Sequence, residues 1–65
     1  MAPISNMELQ SIQRETLFML LEVELELKKQ GIAVPSSLKR SIRAQVAKMH
    51  EPDIAWVKQQ LVDES

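Results

Sequence analysis

Between Ser5 and Gly31, the only glycine of the chain, there is no residue that breaks a helix. That run of 25 residues constrains the fold more than any other feature. Its start is marked by Ser5 with Glu8 three places on, the capping-box arrangement, in which the Ser hydroxyl accepts from the Glu8 N–H and the Glu carboxylate reaches back. Ile4 and Leu9 stand where a hydrophobic staple belongs. Its stop is marked by Gly31, which takes a left-handed C-cap without a Cβ penalty, behind Lys28 and Lys29 at the negative end of the helix dipole. These signals predict a helix over residues 6–30, roughly 37 Å long at 1.5 Å per residue.

One pattern argues the other way. Leu21-Glu22-Val23-Glu24-Leu25-Glu26-Leu27 alternates apolar and polar residues as a strand does. Its Leu and Glu residues are helix formers rather than β-branched types, and no second alternating segment exists to pair with it. Glu24 and Lys28 also make a favourable i,i+4 pair on a helix. The helix is the expected outcome.

After Gly31, Ile32-Ala33-Val34-Pro35-Ser36 reads as a short turn. Pro35 pushes Val34 out of the helical region, and Ser36 or Ser37 is placed to cap the next helix. Ile32 and Val34 are expected to cover the end of the fold. A second helix is predicted over residues 37–50, with Leu38, Ile42, Val46 and Met49 on one face. Pro52 interrupts it and suits the first turn of a third helix over 52–62, with Ile54, Val57 and Leu61 inward and a fraying tail from Asp63 to Ser65. A single helix kinked at Pro52 is the alternative. The expected fold is one all-α domain over residues 1–65: a helical hairpin of a long helix 1, a turn, and a helix 2 broken or kinked at Pro52.

A chain of 65 residues buries a small core, which rarely leaves more than about 3–5 kcal/mol of net stability. Disulfides are excluded because there is no cysteine, and a structural zinc site is disfavoured because His50 is the only histidine. That leaves oligomerisation or a different partner chain. Helix 1 carries two apolar stripes, one through Leu9, Ile12, Thr16, Leu20, Val23 and Leu27, the other through Leu17, Met19 or Leu21, and Leu25, with Phe18 between. One neighbouring arm covers a stripe only a little over 100° wide. Leu17, Phe18, Leu21 and Leu25 are therefore expected to pack against a second copy, giving a homodimer with a four-helix-type bundle. The alternative is a three-helix core in which the last segment covers the second stripe.

The net charge of −1 hides an asymmetry: −2 over residues 1–30, +4 over 31–50 and −3 over 51–65. Lys39, Arg40 and Arg43 make the middle segment the candidate site for an acidic protein or, as the lesser expectation, nucleic acid. The absence of aromatic residues there and the acidic balance of the whole chain weigh against DNA. Trp56 is either a lid on the edge of the core or an interface anchor, a role in which Trp is enriched.

Chemistry is poorly supplied. No nucleophile stands beside a base, no glycine-rich loop cradles phosphate, and His50 with Glu51 and Asp53 offers one nitrogen ligand interrupted by a proline. His50 is expected instead to interact with a helix C-terminus. No cofactor and no metal are expected. The N-terminus from Met1 to Ile4 lacks the charge and apolar run of a signal peptide, and Leu17–Leu21 is far short of the about 20 apolar residues of a membrane span. The expectation is a cytoplasmic, non-enzymatic regulator or adaptor that self-associates through helix 1 and docks on a larger protein. A small DNA-binding transcriptional regulator using the helix over 37–50 is the alternative.

Overall fold

The computed structural model describes residues 3–64. Met1, Ala2 and Ser65 lie outside the described residues, and with them part of the signal-peptide reading and the last residue of the predicted fraying tail. The described chain is all-helical, with α1 over Asn6–Lys29, α2 over Ser36–Ala47 and α3 over Glu51–Glu64.

The ends of α1 follow from local chemistry. Ser5 is the N-cap, and its hydroxyl accepts from the Glu8 N–H at 3.1 Å. Gly31 adopts φ +72°, and the N–H groups of Gly31 and Ile32 turn back to the carbonyls of Lys28 (3.1 Å) and Leu27 (2.9 Å). This is the Schellman arrangement, which satisfies carbonyls that the helix end would leave without partners. Glu24 and Lys28 pair at 3.7 Å on the helix surface.

The start of α2 differs from expectation. Pro35, not a serine, is its N-cap, and no side chain caps it. The ring holds Pro35 at φ −61° with extended ψ, so its carbonyl accepts from the N–H groups of Leu38 and Lys39 and the helix begins at Ser36. Both serines thereby fall inside the helix. Ile32 stays 48% exposed and does not close the end of the fold.

Between α2 and α3 the chain breaks. Lys48 ends α2, and the His50 carbonyl accepts from the N–H groups of Asp53 (3.0 Å) and Ile54 (3.2 Å), so α3 starts at Glu51 with Pro52 in its first turn. His50 consequently sits at a helix N-terminus rather than a C-terminus. α3 runs to Glu64, two residues beyond the predicted end, with Gln59 donating to Asp63 at 3.1 Å.

The break corrects the hairpin. α2 and α3 each pack on α1. Asp53, at the start of α3, meets Gln10 and Arg14, whereas Leu61 and Val62 near its end lie by Leu21, Leu25 and Lys28. α3 therefore runs parallel to α1, and the order is up, down, up. Leu17, Met49 and Val57, one residue from each of α1, the α2–α3 connection and α3, form the buried core. Phe18, Leu21, Ile42, Val46, Ile54 and Leu61 pack around it. The predicted inward faces of the second and third helices are all in this set except Leu38, which is half-buried.

Candidate functional site

α3 covers the side of α1 that carries Gln10, Arg14, Phe18 and Leu21. Leu17, expected at a contact between copies, is fully buried in the chain's own core and is not available to one. Phe18 and Leu21 pack at the core's edge and keep part of their surface, and Leu25 is exposed beside Leu61. The physical reason is the second reversal of the chain: a third helix reaches the stripe that a two-armed hairpin would have left bare.

The other stripe stays open at Leu9, Ile12 and Val23, and Met19, expected on the second stripe, joins it, whereas Leu20 and Leu27 are half-buried. Leu9 (47%), Ile12 (49%), Met19 (59%) and Val23 (51%) are all exposed. With Thr16 they follow one another in steps of three, four, three and four residues, the spacing of a coiled-coil seam. Thr16 bonds its hydroxyl to the Ile12 carbonyl at 2.8 Å, so the one polar member of the seam needs no water. Glu8, Glu15 and Glu22 recur every seven residues along one border of this stripe and are exposed. On the other border stand the half-buried Gln13, Leu20 and Leu27.

The surface as a whole is larger than the mass requires. A monomeric protein of 7.4 kDa is expected to expose about 4,200 Å², and this chain exposes 5107 Å². The radius of gyration is 13.1 Å against about 11 Å for a compact chain of this length. The molecule measures 44 × 26 × 21 Å. An excess of about 900 Å² compares with the about 800 Å² per partner of a standard interface.

A polar cluster joins α1 to α3. Asp53 is the one buried charged residue among those described, 3% exposed. One of its oxygens accepts from Gln10 Nε2 at 2.7 Å, from Arg14 Nε at 2.9 Å and from Arg14 Nη2 at 2.8 Å. The Arg14 guanidinium lies over the Trp56 ring, 4.7 Å from its centroid. Burial pushes the Asp53 carboxyl up, but the hydrogen bonds from Gln10 and Arg14, together with the charges of Arg14 and His50, outweigh it and hold the carboxyl below the ordinary aspartate value. From the sequence, Asp53 stood only beside His50 and Glu51 as a poor set of metal ligands, and Arg14 had no role. Gln10 and Arg14 are one helical turn apart, as are Asp53 and Trp56, but nothing local in the sequence joins the two pairs.

Trp56 is 44% exposed and lines a groove of about 760 Å³ between α1 and α3, with Met7, Arg14, Phe18, Met19 and Gln60. Lys39, Arg40 and Arg43 are all exposed on α2 and make no ion pair among the described residues. With Lys48 at the C-cap of the same helix, they lie outside the lining of the groove. Among the described residues no three His, Asp or Glu side chains come together as a metal site, and no helix is long and apolar enough to cross a membrane. Compared with known proteins, the chain matches no family, no curated sequence and no solved structure.

Proposed function

We propose that this chain is a non-enzymatic interaction module that pairs with a second copy of itself through the exposed stripe of α1 and, as a pair, docks on a larger protein as a regulator or adaptor. The observation that carries the reading is the run of Leu9, Ile12, Met19 and Val23 in water at coiled-coil spacing. Fully burying such a side chain contributes about 1.5–3 kcal/mol. Covering half of four of them on each copy is comparable with the whole stability available to a chain this small.

Charge favours a second copy, and one orientation of it. With the two α1 helices parallel, the acidic rail of Glu8, Glu15 and Glu22 lies against Gln13, Leu20 and Leu27 of the second copy, a border that carries no acidic residue. Antiparallel helices would set Glu15 against Glu22 of the second copy, a repulsion of a few tenths of a kcal/mol for each such pair. The parallel pair is the reading we adopt.

The test is molar mass in solution by light scattering over a range of concentrations. The native chain is expected at twice its monomer mass, and Ile12→Glu or Val23→Glu at the monomer mass with helicity retained. A native chain that stays monomeric throughout would overturn the pairing.

The exposed cations of α2 favour one second reading, a DNA-binding regulator using Lys39, Arg40 and Arg43. It requires affinity for duplex DNA that falls steeply with salt and disappears in Arg40→Ala/Arg43→Ala. No shift of a duplex at low salt would remove it.

A further inference from the structure

Beyond self-association, we infer that the groove between α1 and α3, which shares Met19 and Glu15 with the border of the pairing stripe, takes a basic amphipathic helix of another protein. An apolar side chain of that helix enters beside Trp56, and its cations face Glu15 and Glu64.

The walls are apolar and adaptable. Met7, Met19, Phe18 and Trp56 contribute them, Met7 being 80% exposed and Met19 59%. Methionine is unbranched and polarisable and shapes itself to different partners. At about 760 Å³ the groove lies within the range of sites that take a ligand or an anchoring side chain. Its floor is held rigid: the Arg14 guanidinium is fixed by Asp53 on one edge and by the Trp56 ring on its face. Trp and Arg together are the residue types that dominate interface energetics.

Charge decides the class of occupant. Arg14 alone would invite a carboxylate, but Asp53 neutralises it at 2.8 Å. The charges left at the rim are Glu15 and Glu64, both exposed and in no ion pair among the described residues. A ligand carboxylate would meet two negative charges, whereas a Lys or Arg would meet its complement. The chain's own basic helix does not serve, because Ile42 and Val46 of α2 are packed in its own core and leave no apolar face to enter the groove. A helix in a groove, with apolar anchors at steps of three and four and cations beside them, is the occupant that meets all of these conditions.

Trp56 is the only tryptophan and reports directly on the site. The probe is a synthetic amphipathic peptide of Leu and Lys with one Phe at the centre of its apolar face, about 16 residues long so that it can be helical. Its counterpart has Glu in place of every Lys. Both are titrated into the native chain and into Ile12→Glu, so that failure of self-association is distinguished from failure of the groove. The Lys peptide is expected to shift Trp56 emission saturably and to move the Met7 and Met19 methyl resonances, with the Glu peptide at least about tenfold weaker. In the Ile12→Glu background, where pairing is already removed, Glu15→Lys/Glu64→Lys is expected to weaken the Lys peptide by about tenfold. Glu26→Lys/Glu51→Lys in the same background, which makes the same change of net charge outside the groove and the pairing stripe, should leave affinity within about twofold. No saturable response at Trp56, equal affinity for the two peptides, or equal losses in the two charge-reversed variants would each overturn the assignment.

Discussion

Leu17 and Val57 are the only fully buried large side chains among the described residues, and the fold depends on them out of proportion to their size. Leu17→Ala removes core atoms from the point where all three helices meet. The expected loss is about 2–5 kcal/mol, the order of the whole stability of such a chain. Circular dichroism at the temperature where the native chain is folded should show Leu17→Ala largely unfolded. Asp53 is the other residue on which two helices converge. Its carboxyl is held below the ordinary aspartate value, so the stabilisation it supplies is complete above about pH 5 and is lost as pH falls through the depressed folded value. The melting temperature of the native chain should therefore drop on acidification more steeply than that of Asp53→Asn. Equal slopes would show that the Arg14 and Gln10 contacts do not discriminate between the charged and neutral carboxyl. The residues that build this cluster were legible in the sequence only as separate charges. Their meeting depends on contacts 39 and 43 residues apart in the chain, which no local pattern records.

Helix ends were far more legible, because caps are local hydrogen-bonding chemistry. Ser5 caps α1 and Gly31 closes it as their positions require. Gly31→Ala should cost about 1–2 kcal/mol, since nothing lies within 4 Å of an added Cβ and the penalty is the left-handed backbone alone. Chemical denaturation with an unchanged m-value would check this. The start of α2 was misread because Ser36 and Ser37 are good caps in isolation, whereas the fixed φ of Pro35 reached the cap position first. Pro52 allowed both a kink and a break. The break follows from the His50 carbonyl, which already serves as the first acceptor of a new helix.

For the whole molecule, the surplus of apolar surface on α1 was legible, but the side on which it lies was not. Both stripes of the first helix have similar composition and the same period, so hydrophobic patterning cannot rank them. The placement of α2 and α3 does: packed on one side of α1, they bury Leu17 and shelter Phe18 and Leu21, and leave Leu9, Ile12, Met19 and Val23 to water. If those residues are covered by a second copy, folding and association are linked. The melting temperature should then rise with protein concentration for the native chain and not for Ile12→Glu. A concentration-independent value in both would count against the pair.

The sequence by itself determined that the regular structure of the described residues is helical, where the first helix begins and ends, and that this helix bears more apolar surface than one neighbour can cover. Those properties are set by backbone hydrogen bonding and by residue spacing within a turn or two. Tertiary structure alone decided that the chain reverses twice, that Leu17 belongs to the core and Leu9, Ile12, Met19 and Val23 to the surface, and that Arg14 locks onto Asp53 beneath a groove. The reason is that a helix presents its faces equally to any neighbour, and only the placement of α2 and α3 breaks that equivalence.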